Sequence, residues 1–203
     1  MTNSIDKIGP WKVLSREDVF NNPWINIIDH KVLHPDGSAG IYGVVRFHNL
    51  AIGVLPIDDA GFTHLVGQHR FPHDRYSWEL PEGGGPREVD PLLSAQRELV
   101  EETGLTAKHW APLTQFDISN SVTDERAACY FAWGLEQGRA TPEPSEELTI
   151  KKILFKDLFE MVMSGEISDS LTIVMVQTAF LMALRGEAPE PISEYILAAQ
   201  PGK

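Results

Sequence analysis

A chain of 203 residues that is 42% apolar, with 29 acidic side chains against 17 basic ones, suits one domain plus an accessory element. Its net charge of −12 excludes non-specific nucleic-acid binding, which runs on Lys and Arg neutralising phosphates. The single cysteine, Cys129, excludes an internal disulfide framework, and without a Cys/His cluster there is no structural zinc site.

The start of the chain, MTNSIDKIGPWKV, has no apolar signal-type core, and no run reaches the roughly 18 apolar residues that span a bilayer. A cytoplasmic protein with no membrane partner is therefore expected. The first ~48 residues hold short extended runs. Trp24 to Leu33 alternates in part, HPDGS at 34–38 is a turn, and Ile41 to Phe47 is rich in β-formers. This sets an N-terminal β element at 1–48 apart from a larger domain at 49–203. Ala51 to Pro56 reads as a buried strand, and the turn Asp58-Asp59-Ala60-Gly61 leads into Phe62 to Gln68 as a hairpin. Trp78 to Pro81 is a short strand running into a glycine loop at 83–85. Asp90 caps a helix that has Pro91 at its first position and Gly104 just past its end. Strands follow at about 111–118 and 127–135, separated by a polar loop from Ser119 to Arg126. After the Pro/Glu-rich loop 138–147 come a strand at 150–155, a helix at 156–163 and a last apolar helix through Leu184, capped by Asp169 or Ser170. The tail from Gly186 reads as loosely held.

The chemistry concentrates at Arg97-Glu98-Leu99-Val100-Glu101-Glu102-Thr103-Gly104-Leu105. Positions 98, 101 and 102 stand at i, i+3 and i+4, so three carboxylates leave one helix face. Such a cluster is either a solvated acidic surface or a bed of hard oxygen ligands suited to Mg²⁺ or Mn²⁺. Ala95, Leu99 and Val100 supply the apolar stripe, with the glutamates on another side.

Gly83, Arg97, Glu98, Glu101, Glu102 and Gly104 together resemble the signature of the Nudix hydrolases, a glycine-led loop and helix ending in R-E-x-x-E-E-x-G and an apolar residue. The segments GQHRFPHDRYSWELPEGG, TDERAACYFAWGL and SGEISDSLT extend the likeness to the ADP-ribose pyrophosphatase and nucleotide-sugar branch. The resemblance implies an α/β (α+β) Nudix fold: a mixed sheet between helices, with a small N-terminal antiparallel sheet through which two copies form a homodimer. It implies Mg²⁺ (or Mn²⁺) on Glu98, Glu101 and Glu102 and on the backbone carbonyl of Glu82, with Gly83, Arg97 and Gly104 structural in the box. The pattern's further glutamate falls at Val89 here, between Glu88 and Asp90.

The general base in this branch is a glutamate on a loop before a late strand. Glu146 fits that spacing, Glu147 is next and Glu125 remains as a candidate, while Glu101 is a shared ligand. Arg70 resembles the arginine that contacts the diphosphate, and Arg46 is a second candidate for that part. Trp24 and Tyr42 correspond to two aromatics that sandwich the base. The proline found about sixteen residues beyond the box in members specific for ADP-ribose is replaced by Ser121. ADP-ribose and other nucleoside diphosphate sugars therefore stand nearly level as substrates for hydrolysis to a nucleoside monophosphate and a sugar phosphate. The competing reading is a catalytically weak Nudix domain that senses or binds nucleotide sugars.

Overall fold

The computed structural model describes residues 6–141 and 147–199. They group into two compact units, one made of the residues up to Leu50 with Asp117–Arg126, the other of Ala51–Phe116 with the residues from Ala127 on.

In the first unit, β1 (Asp6–Ile8), β2 (Trp11–Asn21), β3 (Ile25–Leu33) and β4 (Ala39–Phe47) form an antiparallel sheet in that order. The β3–β4 turn is closed by Asp36, whose carboxylate accepts from both the amide and the hydroxyl of Ser38, the local bonding that makes Asp a turn residue. Val13, His30 and Val32 are buried. The 117–126 segment is stitched to β4: the amide of Val45 donates to the Val122 carbonyl, and the Asp124 carboxylate accepts from the amide of Phe47.

The second unit holds β5 (Asn49–Pro56), β6 (Phe62–Arg70), β7 (Arg75–Glu79), β8 (Glu82–Pro86), α1 (Pro91–Thr103), β9 (Leu105–Asp117), β10 (Arg126–Gln137), β11 (Thr149–Leu154), α2 (Phe155–Met163), α3 (Ser170–Leu184) and α4 (Glu190–Leu197). One sheet runs β8-β5-β10-β9 and a second runs β11-β6-β7. Strands β5 and β10 pair in parallel, Ala51 with Ala127 through Pro56 with Ala132. Ile52, Val54, Leu55 and Phe131 are fully buried there, the near-continuous apolar runs expected of strands covered on both faces. At about 1.5–3 kcal/mol per large buried side chain, these residues fix the sheet's place in the core. No helix among the described residues is long and apolar enough to cross a membrane.

Four readings of the sequence need correction. Strands β5 and β6 are not a hairpin: they lie in different sheets, because β5 is flanked by β8 and β10 while β6 pairs with β7 and β11. The Asp58 carboxylate accepts from the amides of Ala60 and Phe62, so the turn is present but carries the chain between sheets. The glycine segment is not a loop but the strand β8. The glutamates of α1 do not stand apart from its apolar stripe, since Glu98 and Glu102 are buried with Ala95 and Leu99. The tail is not loose through 190–197: α4 buries Ile192 and Ile196, and the Tyr195 hydroxyl donates to the Asp59 carbonyl.

The Asp169 side chain caps α3 by accepting from the Thr172 amide. Thr172 is fully buried, and its hydroxyl accepts from the amide of Leu80 at 2.8 Å. That bond ties the segment between β7 and β8 to the start of α3. Thr172→Val removes the acceptor and leaves a buried N–H without a partner. It is expected to cost about 1–3 kcal/mol, read as a lowered midpoint in a denaturant titration with an unchanged slope.

Candidate metal centre

The box helix α1 is set at both ends by local chemistry. The Asp90 carboxylate accepts from the Leu92 amide, Pro91 opens the first turn, and Gly104 closes the last turn at φ 73° with its amide on the Val100 carbonyl. A side chain at Gly104 would be strained in that left-handed conformation. Between these ends Glu98 and Glu102, at i and i+4, are 7% and 2% exposed, while Glu101 is half-buried.

Strand β8 lies against this face. The Glu82 amide donates to Glu102 Oε2 at 3.0 Å. A Cβ at Gly83 would collide with the Glu98 carboxylate, so glycine there is required by the close approach of strand and acid. Arg97 reaches three acceptors: Glu101 at 2.6 Å, Glu98 Oε1 at 2.6 Å and the Gly84 carbonyl at 2.7 Å. Burial alone would lower its pKa, but the charges of Glu98 and Glu101 outweigh that and raise it.

A second knot of charge sits at the other end of the β7–β8 corner. Arg70 Nε bonds both oxygens of Glu79 at 3.0 Å, and its terminal nitrogen bonds Glu79 Oε2 at 2.5 Å and Glu82 Oε1 at 2.9 Å. Glu79 is 3% exposed. The guanidinium therefore stays charged despite burial, through the bonds from Glu79 and the charge of Glu82. Glu82 is pushed well above the usual carboxylate range, by burial first and then by the neighbouring charges of Asp169 and Glu79. Oxygens of Glu79, Glu82 and Asp169 lie within 4.8 Å of one another.

Hard oxygen donors fall in two places: Glu79, Glu82 and Asp169 at the corner, the group whose oxygens lie within 4.8 Å of one another, and Glu98, Glu101 and Glu102 on one face of α1. On α1 the fit rests on two buried carboxylates held against a glycine strand, with Arg97 already supplying positive charge at their edge.

The remaining sequence-derived residues fall elsewhere. Tyr42 packs edge-on to Trp11 with ring centres 5.4 Å apart, and its hydroxyl donates to the Ser121 carbonyl at 2.5 Å. Both rings line a cavity of about 240 Å³ in the first unit, with Val13, Val32, Val44 and Arg46. Trp24 is 68% exposed. The register pairs His30 with Tyr42 and Ile25 with Phe47, so Trp24 and Tyr42 sit toward opposite ends of the β3–β4 pair and do not face each other in one chain. Arg46 lies 4.0 Å from Asp124. Glu125 is half-buried, and its carboxyl is raised by burial and by the Asp124 charge. Glu147 is exposed just before β11, and Glu146 lies outside the described residues. Val89, exposed on the turn into α1, donates its amide to the Pro86 carbonyl.

Reading the sequence missed Trp11, Glu79, Arg75 and the corner role of Asp169. Arg75 and Glu79 stand in GQHRFPHDRYSWELPEGG and Asp169 in SGEISDSLT, two segments that carry the family likeness, and Asp169 reads there as a helix cap. The buried Glu79 depends on one cation. Arg70→Met strands that carboxylate and is expected to destabilise the fold by about 3–5 kcal/mol, measured by chemical denaturation.

Comparison with known proteins shows the family. A family model described as the NUDIX domain matches residues 47–163, and one described as the nucleoside diphosphate sugar hydrolase N-terminal domain matches residues 11–45. The chain is 31% identical to the ADP-ribose pyrophosphatase of Bacillus subtilis (strain 168) over 82% of this chain and 90% of that protein. It is 30% identical to the ADP-ribose pyrophosphatase of Mycobacterium tuberculosis (strain ATCC 25618 / H37Rv), covering 90% and 89%. A solved structure titled an ADP compounds hydrolase superposes with a TM-score of 0.77 over 90% of this chain and 100% of that one, at 14% identity, and so supports the fold alone. With the box helix, the glycine strand laid against its buried glutamates and a family model spanning more than half of its length, the chain belongs to the Nudix hydrolase family.

Proposed function

We propose that this chain hydrolyses the pyrophosphate linkage of a nucleoside diphosphate-linked sugar, ADP-ribose or a related molecule, to a nucleoside monophosphate and a sugar phosphate. The observation that carries the reading is the buried pair Glu98 and Glu102, held on one face of α1 against β8. Relatives named ADP-ribose pyrophosphatase over most of the chain support the substrate class.

A pyrophosphate resists attack because its oxygens repel a nucleophile, so the site has to gather positive charge and position a water. Glu98, Glu101, Glu102 and the main-chain carbonyl of Glu82 would hold Mg²⁺ or Mn²⁺, which when bound supplies Lewis-acid charge neutralisation at phosphoryl oxygens. The amide of Glu82 donates to Glu102 and so orients its carboxylate. Arg97 holds Glu98 and Glu101 and anchors the strand at Gly84. A water becomes nucleophilic by giving its proton to a carboxylate, the part assigned to Glu146 with Glu147 next. Arg70 is spent on Glu79 and Glu82, so its part is to hold the corner and not to grip the diphosphate.

Trp24 and Tyr42 are the residues proposed to stack on the base, and Arg46 remains a second candidate for the diphosphate. Base–aromatic stacking is worth about 1–3 kcal/mol and tolerates several bases. A homodimer through the N-terminal β element is supported by Leu14, Val19, Phe20, Trp24 and Ile41, all more than half exposed on that sheet or its turns. The single cysteine, Cys129, fits a reducing compartment and supports a cytoplasmic enzyme.

A panel of ADP-ribose and ADP-, GDP- and UDP-linked sugars with Mg²⁺, scored by phosphatase-coupled phosphate release, tests the reading. Glu102→Gln keeps an acceptor for the Glu82 amide, so it is expected to lower kcat by about 10²-fold or more while leaving the melting temperature within a few degrees. Glu146→Gln is expected to lose rate in the same way. An unchanged rate there moves the base to Glu147. A flat panel with tight nucleotide-sugar binding favours the sensing domain.

A further inference from the structure

The last turn of α1 is built against its own electrostatics. A helix ends in carbonyls without intrahelical partners and carries partial negative charge there. This one places Glu101 and Glu102 in that turn, with no basic residue among them. Glu98, Glu101 and Glu102, at i, i+3 and i+4, add like-charge repulsion. Arg97, one turn earlier, offsets it at Glu98 and Glu101. The carbonyls are satisfied from outside the helix. The amide of Thr141 donates to the Glu101 carbonyl at 2.9 Å, and the amide of Gly138 to the Gly104 carbonyl at 2.8 Å. The Gln137 side-chain amide donates to the Thr103 carbonyl at 3.3 Å and to the Gly138 carbonyl at 3.0 Å. The end of β10 and residues 138–141 therefore lie across the end of the helix. Gly104 makes room for them: a Cβ there would stand 2.6 Å from the Ala140 nitrogen and 2.8 Å from the Arg139 carbonyl carbon. Those atoms are main chain and cannot swing aside as a side chain can. The box glycine is thus a seat for this strap as well as a turn.

We propose that Gln137 and the strap 138–141 position the metal face: they hold the last turn of α1 closed, so that Glu101 and Glu102 are ordered before a divalent cation binds. Gln137 is a positioning residue, because its donor goes to helix-end and strap carbonyls and acts on the carboxylates only through the turn that carries them. The inference rests on the metal-dependent reading above. Without the strap, binding would have to order the turn as well as form the ligand bonds, and affinity would fall. The effect is bounded by the worth of the lost donor, about 2- to 10-fold for one neutral hydrogen bond. Linkage makes the coupling reciprocal: if the strap favours the cation, the bound cation tightens the strap.

The test reads both directions of that linkage. Amide hydrogen exchange of the nucleotide-free wild-type chain is followed by nuclear magnetic resonance with and without saturating Mg²⁺. The strap predicts that Mg²⁺ slows exchange at Gly138 and Thr141 more than at Ala198, the α4 amide that serves as the reference for general stabilisation. Mn²⁺ affinity is then measured by electron paramagnetic resonance for the wild type and Gln137→Met, which removes the donor and keeps the length. Gln137 is exposed, so the variant is expected to melt like the wild type. It is expected to bind Mn²⁺ about 2- to 10-fold more weakly. With a nucleotide sugar, the loss falls on the Mg²⁺ concentration for half-maximal rate more than on kcat. Exchange at Gly138 and Thr141 that Mg²⁺ leaves unmoved, or slows no more than at Ala198, overturns the proposal, as does equal Mn²⁺ affinity in the two proteins. Mg²⁺-slowed exchange and Gln137-dependent Mn²⁺ binding, with no turnover of any nucleotide sugar, sink the functional reading and leave the strap standing.

Discussion

The arrangement depends on one cation among carboxylates, Arg70 between Glu79 and Glu82. It closes the corner between β7 and β8, and that corner sets where β8 begins. Only with β8 in place does the Glu82 amide meet Glu102, Gly83 lie flat on Glu98, and the Gly84 carbonyl receive Arg97. A buried salt bridge is a weak source of net stability, but removing one partner is costly. Its value here is positional, since it fixes the strand that shapes the metal face.

The two acidic groups then divide the work. Those on α1 are arranged by helix periodicity and need no long-range contact to share a face. Those at the corner come from a strand end, a strand start and a helix cap far apart in sequence. Glu82 belongs to both, its amide turned to α1 and its carboxylate to the corner. The buried tie from Thr172 to Leu80 holds the start of α3 against the segment between β7 and β8.

What was legible in the sequence follows from this. Local signals gave the helix: Asp90, Pro91, Gly104 and the spacing of the glutamates each act within one or two turns. The cap at Asp169 was legible for the same reason. The burial of Glu98 and Glu102 was not, because periodicity sets which residues share a face and not which face the core covers. The β5–β6 hairpin was misread because a turn such as Asp58–Gly61 closes equally well between sheets, and only the parallel pairing of β5 with β10 decides the matter. Arg70 resembles in sequence an arginine that contacts the diphosphate, yet its partners Glu79 and Glu82 can be assigned only in three dimensions.

The central claim is that Glu98 and Glu102 hold a divalent cation. Counting Mn²⁺ bound to the nucleotide-free chain by electron paramagnetic resonance, in the wild type and in the Glu98→Gln, Glu102→Gln double variant, tests it most directly. The account predicts that the wild type binds Mn²⁺ at α1 and that the double variant loses that site, while far-ultraviolet circular dichroism is unchanged. Equal Mn²⁺ binding by the two folded proteins would contradict it.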